Sequence, residues 1–295
     1  MSDGTNIRSM TLLKRYIPNL YLSLLSHFFL SVILPNLAIA QGDLQIMPRR
    51  VVFEGTKRFQ ELNLANTGQD SAQYVVSFVN YKMTASGEFK QITDPEEGQN
   101  FADKFLRVFP RTVSLAPNES QTVKIQIIKA SNLLTGEYRS YLQFRAVPKL
   151  KPLGEKDPKA DSLKAFSVKL TPVFGLSIPV IIRLGETNVK VSLSDCRYEN
   201  NENDPKLRLT FNRTGNISAY GHLTVKHVAP DGTSNTVGLT KGVAVYTPNL
   251  KRDFVLDLAS NKDIDYRKGK LLITYASPEE DGKIINLAES EISLK

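Results

Sequence analysis

Side chains able to carry acid-base, nucleophilic or metal chemistry are scarce in this chain. Three histidines (His27, His222, His227) and one cysteine (Cys196) are spread over 295 residues. His222 and His227 stand five apart in an alternating pattern, which sends them to opposite faces of a strand and separates them as metal ligands. A single thiol excludes an intrachain disulfide and a cysteine-based zinc cluster. Cys196, in a strand pattern with no histidine near it in sequence, reads as a small packed residue. The acidic groups Glu96-Glu97 and Glu279-Glu280-Asp281 sit beside Pro or Gly in turn contexts. Carboxylates there are solvated rather than set opposite one another for glycoside chemistry. The expectation is a protein that is no enzyme and uses neither cofactor nor metal.

Composition points to a folded body that works by binding. Hydrophobic residues make up 41% of the chain and charged residues 23%, the balance of a globular protein. The net charge of +8 is compatible with nucleic acid, an anionic membrane or acidic partners. The first forty residues narrow that choice. Arg8, Lys14 and Arg15 precede an apolar run from Leu20 to Leu34, and the stretch closes on Ala38-Ile39-Ala40. A basic start, an apolar centre and small residues at the end form a secretory signal, with cleavage expected before Gln41. Losing residues 1–40 removes three basic residues and one acidic one, so the mature chain stays basic. Export removes nucleic acid from the expected partners.

From Gln41 onward the chain alternates apolar and polar residues in short runs rich in Val, Ile, Tyr, Phe and Thr, broken by Gly, Asn, Asp and Pro. That rhythm predicts an all-β fold of sandwiches. Predicted strands are 43–53, 58–66, 72–81, 111–115, 121–128, 138–146 and 165–183, then 189–195, 206–212, 218–228, 236–245, 252–258, 270–276 and 284–293. Seven runs on each side of Leu184-Gly185-Glu186-Thr187 suit two Ig-like domains, 41–184 and 185–295, with the hinge at that Gly. Phe101, Phe105 and Phe109 have helical spacing, and the segment 99–109 is left open.

One run exceeds what a domain core needs. Phe166, Val168, Leu170, Pro172, Phe174, Leu176, Ile178, Val180 and Ile182 place an apolar residue at every second position over seventeen residues. Only a strand collects these on one face, and at about 3.3 Å per residue it would reach on the order of 55 Å. The part from 176 to 182 suits a core. The part from 166 to 174 follows the lysines Lys149, Lys151, Lys156, Lys159 and Lys164, and contains Pro172, which cannot donate to a ladder. These features predict an interactive edge.

At this point the chain resembles the PapD-like periplasmic chaperones of pilus assembly, as a divergent branch. The resemblance runs through Pro48-Arg49-Arg50-Val51-Val52-Phe53-Glu54-Gly55, then Pro110-Arg111-Thr112-Val113-Ser114-Leu115-Ala116-Pro117 and Ser120-Gln121-Thr122-Val123-Lys124-Ile125. It continues in Gly136-Glu137-Tyr138-Arg139-Ser140-Tyr141-Leu142-Gln143-Phe144-Arg145-Ala146-Val147-Pro148 and in Phe174-Gly175-Leu176-Ser177-Ile178-Pro179-Val180-Ile181-Ile182-Arg183. It implies two Ig-like domains set as an L or boomerang. It also implies a periplasmic chaperone that lends its edge strand to a pilin-like subunit and passes the subunit to an outer-membrane usher. Phe166, Val168, Leu170, Pro172 and Phe174 would enter the subunit groove. Arg50 would hold the subunit's C-terminal carboxylate. The lysine that the family pairs with it is replaced by Pro179, and Arg139 is the expected substitute. Arg183 is expected in an interdomain ion pair. The same edge allows a self-dimer, and an Ig-like fimbrial or adhesive surface protein is the alternative reading.

Overall fold

The computed structural model describes residues 44–128, 133–148, 173–201, 204–260, 264–280 and 282–294. Among these, regular structure is β throughout, apart from one 3-10 turn at Asp103–Phe105. The strands up to Leu184 form two sheets. One runs in the order β1 (Leu44–Met47), β3 (Phe59–Asn66), β9 (Ser120–Ile127) and β7 (Leu106–Phe109). The other runs β2 (Val51–Phe53), β11 (Gly175–Leu184), β10 (Gly136–Ala146), β4 (Ala72–Val79) and β8 (Thr112–Leu115). Ile46, Leu62, Leu64, Val123 and Ile125 from the first sheet meet Phe53, Val113, Leu142, Phe144, Val180 and Ile182 from the second in one core. Alternation explains the set: along β3 the pattern buries Leu62 and Leu64 and exposes Asn63 between them.

A second pair of sheets follows. β12 (Val189–Asn201), β13 (Asp204–Gly215) and β16 (Lys251–Asp257) face β15 (Ser234–Val245), β14 (Ala219–Val228), β17 (Lys270–Ala276) and β18 (Asn286–Ser293). Their core is built on Leu207, Phe211, Leu223, Val225, Leu271, Ile273 and Tyr275. The architecture is thus two Ig-like β-sandwiches in sequence.

Two local outcomes differ from the sequence expectation, and one segment left open takes a definite form. The run 43–53 is two strands in different sheets, because the chain crosses over at Pro48-Arg49-Arg50. The open segment 99–109 is not an α-helix: after the short turn, Leu106–Phe109 joins the ladder of β9, burying Leu106 and Val108. A hairpin with no counterpart in the predicted strands, β5 (Tyr81–Met83) with β6 (Phe89–Gln91), stands apart from both sandwiches' sheets. Its turn carries Gly87 at φ 88°, a conformation natural to glycine.

Candidate functional site

β11 changes character along its length. On one side it pairs with β10 throughout, from Gly175 opposite Arg145 to Leu184 opposite Gly136. On the other side β2 covers only Val180–Ile182. Among the described residues, Gly175–Pro179 therefore presents an open ladder edge. The amide of Ala146 donates to the Phe174 carbonyl at 2.9 Å, so even-numbered backbone groups turn toward β10 and odd-numbered ones toward the open side. Pro179, an odd position, removes an N–H only from the open side and costs the sheet no internal bond.

The side chains change in step. Ile178, Val180 and Ile182 are buried in the core, whereas Phe174 is 61% and Leu176 47% exposed, with Val173 beside them at 41%. Leu176 shares its face with its cross-strand partner Phe144, which is fully buried. Leu176 is open because no strand flanks it at the sheet margin. Of the groove residues expected from sequence, Phe174 lies in this exposed row. Phe166, Val168, Leu170 and Pro172 fall outside the described residues.

β10 explains the second half of the site. From Gly136 to Leu142 every residue is buried, on both faces. Tyr138, Leu142 and Phe144 fill the first core. The alternate residues Glu137, Arg139 and Tyr141 point the other way, toward the second sandwich. Glu137, 3% exposed, accepts from the Ser218 amide at 3.0 Å and from the Ser218 hydroxyl, 81 residues away in sequence. Arg139, 2% exposed, lies 3.6 Å from the Glu137 carboxylate and donates to the Thr247 carbonyl at 3.0 Å. Its guanidinium also sits 4.1 Å over the Tyr246 ring. Burial alone would raise the Glu137 carboxyl, but the Arg183 guanidinium, the Ser218 hydrogen bonds and Arg139 outweigh it and hold it below the usual carboxylate range.

Arg183 pairs with Glu54 at 2.7 Å and Glu137 at 3.1 Å, and donates to the Ser218 carbonyl at 3.3 Å. Its ionic partners belong to the first group of strands, so its link to the second sandwich is a hydrogen bond to backbone rather than the ion pair expected from sequence. Arg139, expected as a carboxylate receiver, has both terminal nitrogens engaged by Glu137, Ser218 and Thr247. On the facing side, buried Arg213 holds the loops that carry Ser218 and Thr247, through the carbonyls of Gly215, Ile217 and Asn249 at 2.8–2.9 Å. Glu137, Ser218, Thr247 and Arg213 escaped the sequence reading. Only the burial of two basic residues with one acid reveals them, and burial is a tertiary property.

The remaining wall is aromatic. Tyr141 makes edge contacts with Tyr81 and Phe89 of the hairpin at 5.1 and 5.7 Å between centroids, and Phe89 reaches Tyr246 at 6.1 Å. The hairpin is tied to the second sandwich by Asn249, which donates to the Met83 carbonyl at 2.8 Å, and by the Asp253 amide to the Ala85 carbonyl at 2.8 Å. Arg50, half-buried one residue before β2, lies 4.2 Å over the Tyr220 ring. Three buried donors here have no hydrogen-bond partner: Arg50 Nη1, Arg139 Nε and Tyr141 Oη. Burial also pushes the Tyr141 phenol well above its usual range, with the arginines opposing.

The two described histidines take structural places. His227 is buried with Nε2 2.9 Å from the Lys268 carbonyl, and His222 Nδ1 accepts from the Gly242 amide at 3.1 Å. Cys196 is half-buried beside a bulge in β12, its thiol raised by burial. No group of three His, Cys, Asp or Glu residues is placed to hold a metal among the described residues.

No protein-family model and no curated protein matches the sequence. Solved structures to which the chain is similar include the YadV chaperone, at 13% identity and TM-score 0.43 over 85% of this chain and all of that one. The class 5 fimbriae chaperone CfaA gives 14% and 0.42 over 86% and 99% of the two chains. The CupB2 chaperone of Pseudomonas aeruginosa gives 15% and 0.41 over 85% and 100%.

Proposed function

We propose that this chain is a periplasmic chaperone that captures pilin-like subunits by lending them the exposed half of β11 and hands them to an outer-membrane usher. The observation that carries the reading is the open edge at Gly175–Pro179, which carries exposed Leu176 and follows exposed Phe174, both in line with a buried row. A strand added there gains backbone hydrogen bonds from the odd positions, while its partner's groove receives the even side chains. Each such side chain contributes about 1.5–3 kcal/mol when buried, and ordering costs offset part of the sum. Capture can then be firm and still exchangeable.

In this reading Phe166, Val168, Leu170 and Pro172 continue the donor row beyond Phe174, residues 1–40 are removed on export, and the sandwiches divide as 41–184 and 185–295. Arg50 receives the subunit's terminal carboxylate, with an unpartnered guanidinium nitrogen in support. Free chains shield the same edge by pairing with a second copy. The function is carried by backbone and packing, with no catalytic step.

The test is co-purification with a co-expressed pilin-like subunit. Leu170→Asp combined with Phe174→Asp should abolish capture while the free protein keeps its melting temperature. Wild-type capture by that double variant, or its unfolding, overturns the donor role of the row.

A further inference from the structure

Pro179 stands where the resemblance leads one to expect a cation, and its neighbours across the sheet reveal what stands in for it. Cross-strand partners carry their side chains on the same face. Pro179 lies directly opposite Tyr141 in the β10–β11 register. On its other side the parallel register aligns Val51 with Val180 and Val52 with Ile181, so Arg50 comes alongside Pro179 one step earlier. Tyr141, Pro179 and Arg50 thus form one row across three adjacent segments, on the face turned away from the first core. Tyr141 Oη and Arg50 Nη1, at the two ends of this row, are both buried and neither has a partner at full hydrogen-bond geometry, with Arg139 a cation beside the phenol. Tyr141 is 5% exposed. A buried hydroxyl left unpaired costs free energy that a ligand oxygen would recover.

We infer that Tyr141 is the second donor of the carboxylate site, its hydroxyl occupying the place across the ladder that Pro179 leaves without one. This rests on the chaperone reading above and names the residue that completes it. The two side chains rise from backbones roughly 10 Å apart, two strand spacings, so one carboxylate at the end of an extended chain meets Arg50 with one oxygen and Tyr141 with the other. The edge contacts of Tyr141 with Tyr81 and Phe89 fix the phenol ring and limit the rotamer entropy lost on binding. The environment keeps the phenol protonated at neutral pH, so it donates. Arg139 Nε, the third unpartnered atom, adds positive potential behind it. The ligand class is a polypeptide C-terminus rather than a free anion, because the open edge of β11 leads to the row at Pro179.

The experiment compares two probes on the mature protein by titration calorimetry: an extended Val-Thr peptide ending in a free carboxylate, and the same peptide amidated. Wild type should prefer the free carboxylate by about tenfold or more, the scale of a charge-assisted hydrogen bond. In Tyr141→Phe that preference should fall to within about threefold, while amide-peptide affinity stays within about twofold of wild type. Pro179→Lys added to Tyr141→Phe should restore the preference. A preference in Tyr141→Phe equal to wild type, or equal weakening of both peptides, overturns the inference and leaves strand addition standing, as does wild type binding both peptides alike. Failure of wild type to bind either peptide overturns the chaperone reading together with it. Near-UV circular dichroism of Tyr141→Phe verifies that the aromatic wall is intact.

Discussion

The two halves of β11 obey one alternation and meet different fates. Ile178, Val180 and Ile182 are closed over by the opposite sheet and, for the last two, by the neighbouring β2, while Phe174 and Leu176 carry the same pattern out to solvent. An apolar side chain is therefore core or exposed surface according to what lies beside it, not according to its own sequence context. The odd face repeats the lesson. Ile181 is buried with Met83, Ala244 and Tyr246 against the second sandwich, whereas Ser177 and Gly175 on the same face are exposed.

Substitutions that treat the halves alike should separate them. Val180→Asp places a carboxylate in the core with no partner and should cost at least about 4 kcal/mol, enough to unfold a marginal domain. Urea denaturation would measure it, and a loss under about 1 kcal/mol would mean the buried half is not core. Glu137→Ala leaves Arg139 uncompensated and removes one partner of Arg183, with an expected loss of about 3–5 kcal/mol. That loss should appear in the transition that reports the joint between the sandwiches.

The same carboxylate sets an acid limit. Its folded pKa is depressed, so the stability it contributes is complete above the ordinary Glu value of 4.5 and fades as pH falls through the lower folded value. Thermal melts of wild type should lose stability in that range, and Glu137→Gln should flatten the fall. Identical acid limbs in the two proteins would remove Glu137 from the explanation. Gly87→Ala is milder: a Cβ there would lie 2.6 Å from the Arg252 guanidinium, at a φ that favours glycine. About 1–2 kcal/mol is expected, with the hairpin amides of residues 81–91 showing faster hydrogen exchange. Smallest in stability is Phe174→Asp, within about 0.5 kcal/mol, because its side chain is already in solvent. A melting temperature lowered as far as by Val180→Asp would erase the contrast between the halves.

Much of the strand pattern was legible because it is local. The alternation Phe174 to Ile182, the runs 58–66, 121–128 and 270–276, and the turn residues between them depend on spacing alone. The hairpin at Tyr81–Gln91 was harder. Its strands are three residues each, too short for a periodic signal, and the Ser86-Gly87 turn was the one available clue. Arg50 stood out through a motif, and the structure leaves one of its nitrogens unpartnered. Arg139 and Arg183 stood out too, but their partners did not: Ser218 and Thr247 lie 79 and 108 residues from Arg139.

By itself, the sequence determined the all-β class, the apolar row of the long strand, the poverty in histidine and cysteine, and the position of Arg50, since each follows from residue type and spacing of near neighbours. The tertiary structure alone decided where that row leaves the core, which acid balances the buried arginines, and that Tyr141 stands across from Pro179. Those depend on which strands become neighbours and how their registers align. Register joins residues distant in the chain through backbone hydrogen bonds common to every residue type, so composition and local pattern carry no mark of it.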